Sequence, residues 1–247
     1  PQANALVRTL IQEGSHLYVG GDFTQVNGIN RTALARLNLS GTLDTSWNPQ
    51  IAGSSPQVHT LVTDGTHLYV GGSFLGVDGH NLPHLAKLQL STGAVVSSWK
   101  PQPDGTVHTL LLDGTTLYVG GAFTGPTDAL RYRLAALDTT TGLATTFDPF
   151  AGLSEGITAL YSLHKMGSTL YVGGEFFINN RQSILAIDIP TQSITSFNPS
   201  LRGSATPLVR AITSHGGRIY LGGFWNNTHG GQVRINLLAT DGFAPQW

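Results

Sequence analysis

Apolar residues along this chain alternate with polar ones or run in short blocks, and the blocks end at Gly, Pro, Asn or Asp. That punctuation belongs to strands rather than to amphipathic helices. One block recurs. Leu17-Tyr-Val-Gly-Gly21 returns at Leu68, Leu117 and Leu170, and as Ile-Tyr-Leu-Gly-Gly at Ile219. Its tyrosines fall at 18, 69, 118, 171 and 220, so the intervals are 51, 49, 53 and 49 residues. A period of that size is one supersecondary unit, the size of a four-stranded propeller blade.

The same order surrounds every block. A short apolar strand A, such as Val58–Val62, leads through a tight turn into strand B, which is the Leu-Tyr-Val-Gly-Gly segment. Phe23, Phe74, Phe123 and Phe176 stand two residues after the second glycine. A loop that differs between repeats leads to strand C, such as Leu85–Leu90, and a Thr-Gly turn leads to strand D. Strand D ends in an aromatic, a spacer and a proline: Trp47 and Pro49, Trp99 and Pro101, Phe147 and Pro149, Phe197 and Pro199. Paired glycines let a strand bend and a neighbouring backbone approach closely near a crowded axis. The expected fold is all-β: one five-bladed β-propeller with four antiparallel strands per blade, over 1–47, 48–99, 100–147, 148–197 and 198–247. Pro1-Gln2 matches Pro49-Gln50, and Trp247 takes the strand D aromatic position, so the repeats come in an integer number. Integer repeats favour a closed ring, because an unpaired edge is a liability and an open solenoid needs atypical caps.

Tyr-Val-Gly-Gly followed by Leu-Ala-x-Leu, a Thr-Gly turn and Ser-Trp resembles the blades of kelch-type propellers. It is still more similar to the Tyr-Val-Gly-Gly-x-Phe (delta-sixty-type) repeats of large bacterial surface and secreted proteins, a family without an assigned general activity. Fungal cortical landmark proteins of bud-site selection carry similar repeats. The likeness spans the chain and implies the fold, and through it an extracellular, secreted or cell-surface setting within a larger protein. The fifth repeat departs, with Phe224-Trp225 after its glycines.

Composition removes several classes of function. Charged residues make up 11% and the net charge is −1, so there is no basic field for nucleic acid. No apolar run approaches a membrane span, and no membrane insertion is expected. Cys is absent, which excludes disulfides, thiol nucleophiles and the Cys-linked Tyr of galactose-oxidase-like chemistry. Asn30, Asn38 and Asn226 head glycosylation sequons that matter only in a secreted eukaryotic chain. No signal peptide opens the sequence, so the numbering is expected to start inside a longer precursor.

Candidate site residues come from loop positions and from rings around the expected axis. The A–B and C–D turns are short and uniform, while the B–C and D–A loops differ from repeat to repeat, which points to one binding face. Second on strand A stand Arg8, His59, His108, Thr158 and Arg210; after the double glycine stand Asp22, Ser73, Ala122, Glu175 and Phe224. The first ring reads as a weakly basic funnel for a carboxylate or a polar sugar, or else as polar filler with Arg8 paired to Asp22. Trp47, Trp99 and Trp247 occupy the structural aromatic position, whereas Trp225 reads as a loop residue able to stack on a ligand. The ligand-binding candidates are therefore Trp225, His59, His108, Arg8, Arg210, Glu175 and Asp22. No catalytic residue, metal ligand or cofactor is assigned. His80 and His84 are too weak a pair off a helix. The expected function is a non-catalytic binding, adhesion or scaffold module for a glycan or another protein. The alternatives are a glycan-cleaving hydrolase with axial carboxylates and a purely structural unit. With imidazoles at their ordinary pKa, anion binding is expected to strengthen from pH 7 to 5.5.

Overall fold

Tight turns and alternating segments build five main antiparallel sheets, beside two small ones made by loop segments of the first two repeats. In chain order the main sheets are Val7–Glu13, His16–Gly21 and Leu34–Asn38; Gln57–Thr63, His67–Ser73 and Leu85–Gln89; and Val107–Asp113, Thr116–Gly121 and Leu134–Asp138. The fourth holds Ile157–Met166, Thr169–Ile178, Arg181–Asp188 and Ser193–Ile194, and the fifth Leu208–His215, Arg218–His229 and Gln232–Thr240. This computed structural model describes residues 1–153, 156–201, 207–229 and 232–240, with the backbone alone at 226–229, 232–236 and 238. Among the described residues there is no helix.

In the first four repeats the outermost strand is rudimentary. In the first three sheets it shrinks to a single bridge, Leu37 to Leu43, Leu88 to Val95 and Leu137 to Ala144. The fourth keeps two residues, Ser193–Ile194. The expected last strand D, ending at Trp247, lies outside the described residues.

The loops expected to differ share one device in the first two repeats. Asn27-Gly28 and Asp78-Gly79 both have positive φ, 52° with 76° and 48° with 78°, the mark of a two-residue I′ hairpin. Each hairpin is laced to the Pro-Gln segment that starts its repeat. Gln2 N–H donates to Asn27 Oδ1 (2.8 Å) and Asn27 N–H to the Gln2 carbonyl (2.8 Å). Gln50 and Asp78 repeat the exchange at 2.7 and 3.0 Å. Different sequences here make the same structural brace.

Successive sheets join where an inner strand meets the double glycine of the sheet before it. A Cβ on Gly20 would lie 2.5 Å from Val58 Cγ1, one on Gly71 2.6 Å from Val107 Cγ1, and one on Gly173 2.6 Å from Val209 Cγ1. A Cβ on Gly120 would lie 3.3 Å from Leu160 Cβ. The first glycine of each pair is therefore a socket for the first buried residue of the next inner strand. Leu61, Leu110 and Leu163 fill the same seams and are buried.

One socket is unfilled. Val7 and Leu10, which correspond to Val58 and Leu61, are 38% and 58% exposed. A Cβ on Gly222 would meet only Ala211 Cβ, at 3.5 Å. Inner strands pack pairwise from the first sheet to the fifth, but Leu208–His215 and Val7–Glu13 do not pack in that way. The expected closure of the ring is therefore not seen between these two strands.

In the first four repeats the strand B tyrosine meets the strand D aromatic of its own repeat edge to face. Tyr18 with Trp47, Tyr69 with Trp99, Tyr118 with Phe147 and Tyr171 with Phe197 have ring centroids 5.3, 5.5, 5.3 and 5.1 Å apart. Trp47 and Trp99 are buried and donate their indole N–H to carbonyls of the next sheet, Leu90 (3.1 Å) and Asp138 (3.2 Å).

The sockets predict a sharp contrast. Gly71→Ala drives a methyl into Val107 and costs about 1–3 kcal/mol by overpacking, read as a lowered urea midpoint. Gly222→Ala leaves the midpoint within error if the last joint is open, and matches Gly71→Ala if Val7 seats there in solution.

Candidate functional site

The five inner strands share one irregularity. The pairing with strand B skips a residue between Val7 and Thr9, Val58 and Thr60, Val107 and Thr109, Leu160 and Ser162, and Val209 and Ala211. A β-bulge leaves its extra residue out of the ladder and re-aims its side chain. The residues so released are Arg8, His59, His108, Tyr161 and Arg210, and with Leu6 they line one cavity of about 480 Å³.

This corrects one ring position and keeps four. Thr158 is exposed and sits in a separate bulge between Ile157 and Ala159. The fourth inner strand has ten residues where the first three have seven, so counting from its start misplaces the ring. Counting back from Tyr171, which pairs with His164, gives Tyr161. That count was available in the sequence, because the double glycine is the fixed point of the repeat.

Charges in the cavity are unevenly matched. Arg8 grips Asp22 with two bonds, Nε to Oδ1 at 2.5 Å and Nη2 to Oδ2 at 2.7 Å. That engagement takes Asp22 out of use as a free axial acid. Arg210 is exposed, with its guanidinium 5.1 Å from the Tyr161 ring centre, and no described carboxylate forms an ion pair with it. Tyr161 in turn lies 4.8 Å from the His108 ring at 42°.

His59 and His108 meet through Nδ1 atoms 2.9 Å apart. Their centroids are 5.1 Å apart and their planes 9° from parallel. With the nitrogens so close, the rings lie side by side in one plane and share a hydrogen bond; they are not stacked face to face. His59 Nε2 also faces Gln57 Oε1 at 3.1 Å. Burial above all, helped for His59 by Arg8 and for His108 by the other imidazole, pushes both pKa values down to about 4. The expected strengthening of anion binding between pH 7 and 5.5 therefore loses its basis, since both rings stay neutral across that window.

The other candidates are placed differently. Glu175 is half-buried on Thr169–Ile178, opposite Ala159, and does not line the cavity. Trp225 is not a loop residue. It lies on Arg218–His229, is 3% exposed, and packs with Tyr171, Phe197, Leu201 and Val209. It stands two residues after Gly223, the position of the buried Phe23, Phe74, Phe123 and Phe176. It is the Phe of the fifth repeat enlarged, and cannot stack on a ligand. Leu6, missed in the sequence, is 57% exposed at the cavity rim. No cluster of three His, Cys, Asp or Glu able to hold a metal occurs among the described residues.

Comparison with known proteins agrees with this architecture at the level of fold. Residues 16–46 match a family model described as a domain of unknown function (DUF5122) beta-propeller. No curated protein matches the chain. Among solved structures, the chain is similar to the computationally designed Ika8 protein, with a TM-score of 0.53 and 15% identity. The alignment covers 98% of this chain and 65% of that one, so the chain spans about two thirds of the designed protein's length. The protein is all-β and carries β-propeller sequence.

Two outcomes follow. Trp225→Ala costs about 3–5 kcal/mol, as large aromatic truncations in cores do, and denaturant unfolding reads it. Imidazole ¹⁵N resonances of His59 and His108 stay flat from pH 7 to 5.5 and titrate near 4. The unfolded chain binds protons on these rings below about 6.5 while the folded one does not, so stability falls as pH drops from 6.5 toward 4. The double variant His59→Gln/His108→Gln shows a shallower fall over that interval.

Proposed function

We propose that this chain is a non-catalytic binding module: a kelch-like propeller of five four-stranded blades, one per repeat, acting outside the cell within a larger surface or secreted protein. Its ligand is a glycan or another protein, met at the axial cavity on the B–C and D–A side. One observation carries the reading. The same bulge in five different sheets delivers five side chains of three kinds, two Arg, two His and one Tyr, to one cavity. A volume of about 480 Å³ falls within the range of small-ligand clefts, roughly 300–1,000 Å³. Filler between sheets would need only to occupy space; here Arg210 instead keeps a charge without a described carboxylate partner.

The localisation rests on the family resemblance and the cysteine-free, lysine-poor composition. The placement is tested by a glycan array probed with the wild-type chain and with Arg210→Ala and Tyr161→Ala. The expected result is that specific signals drop at least tenfold in both variants while the urea midpoint holds. Signals that survive both, but vanish when the A–B turn residues Asp64 and Asp113 are replaced by Ala, overturn the placement.

A further inference from the structure

The neutral imidazole pair fixes which hydrogen-bonding groups the cavity presents. Gln57 Oε1 can only accept, so His59 Nε2, 3.1 Å away, carries the hydrogen between them. In a neutral imidazole the other nitrogen then bears a lone pair. His59 Nδ1 takes its hydrogen from His108 Nδ1 at 2.9 Å. That uses the one N–H of His108, and its Nε2 is left as an acceptor with no hydrogen-bond partner among the described residues.

Around this acceptor the other groups are settled. Arg8 is neutralised by Asp22, so Arg210 supplies the uncompensated positive charge among the described cavity residues. The guanidinium, the Tyr161 ring and the His108 ring form a contiguous series, at 5.1 and 4.8 Å. Leu6 adds an apolar edge. A fully ionised sulfate has oxygens that only accept; it suits Arg210 but is repelled by the lone pair of His108. A neutral sugar suits His108 but leaves the charge of Arg210 unused. A molecule with both a carboxylate and a nearby hydroxyl satisfies both, because a carboxylate meets the guanidinium fork with two parallel bonds and a hydroxyl donates to the imidazole.

We propose that the axial cavity binds a uronate, the acidic unit of an anionic glycan, with its carboxylate on Arg210 and a ring hydroxyl donating to His108 Nε2. This rests on the cavity being the binding site. It is narrower than that reading, because it fixes the charge and the donor pattern of the ligand. Affinity falls with added salt, since part of it is an exposed ion pair. It does not rise between pH 7 and 5.5, since protonating His108 would remove the acceptor.

The test is an NMR titration of the full 247-residue chain at pH 7 with methyl glucuronoside, methyl glucoside and acetate in parallel. Concentrations up to about 50 mM read the millimolar affinities expected of a single sugar. Glucuronoside is expected to shift signals around the cavity and to bind at least tenfold tighter than either control. Arg210→Gln, a change at an exposed side chain, removes at least tenfold of that affinity. His108→Phe brings glucuronoside down to the level of acetate, and the wild-type His108 Nε2 resonance is that of an unprotonated nitrogen. If glucoside binds at the cavity as well as glucuronoside does, the ligand class is wrong and the site stands. Shifts confined to the A–B and C–D turns overturn both. Absence of glucuronoside binding, or binding that strengthens from pH 7 to 5.5, overturns the proposal, and the array result for Arg210→Ala then decides the site on its own.

Discussion

Everything in this molecule depends on how closely one sheet can lean on the next. Side chains from an inner strand reach into space that a Cβ on the preceding double glycine would occupy, at 2.5 Å for Gly20 and Val58 and 2.6 Å for Gly71 and Val107. Where strand B carries only glycine, the next inner strand seats directly against it, and elsewhere Tyr, Trp and Phe fill the space between strands with edge-to-face pairs. Polar groups take part in these seams as well: Thr60 and Thr109 stand beside the glycines, and the buried Arg36 and Lys87 donate to carbonyls of the next sheet, Leu90 and Thr139.

The same crowding explains the site. Where the inner strand turns at the double glycine its ladder skips one residue, and the skipped residue points out of the sheet. Five repeats make five such positions at one place, and these positions are free to vary because neither the ladder nor the seam uses them. Arg, His, His, Tyr and Arg stand there, while the residue before is Val or Leu and the residue after is Thr, Ser or Ala. Chemistry in this fold is confined to a position that the scaffold leaves unconstrained.

Much of this was legible in the sequence. Glycine pairs at a fixed period, the strand punctuation and the place of Trp47 and Trp99 all express local rules that a single repeat obeys. What escaped were departures from the repeat that a count along one strand does not show. Three extra residues in the fourth inner strand shift the ring from Thr158 to Tyr161, and a bulge hides such an insertion from a count along the strand. Trp225 looked anomalous because its size drew more notice than its spacing from Gly223. The open joint was also unreadable: Val7 has the residue type of a seam filler, and only its 38% exposure shows that no described sheet covers it. The imidazoles looked like pH sensors on composition alone, yet burial holds both near 4.

The strand D aromatics carry a further consequence. Trp47 and Trp99 each tie their own sheet to the next one through an indole hydrogen bond, to Leu90 and Asp138. Phe147 and Phe197 occupy the same position without a donor, and the later joints take their polar ties elsewhere: Asp148 N–H donates to Gln192 Oε1, Lys165 pairs with Asp113, and His164 meets Ser214 at 2.8 Å. The first three sheets therefore share one kind of fastening, repeated at the same place, while each later joint is fastened in its own way, so a Trp→Phe exchange is felt at the first two joints and has no counterpart at the others.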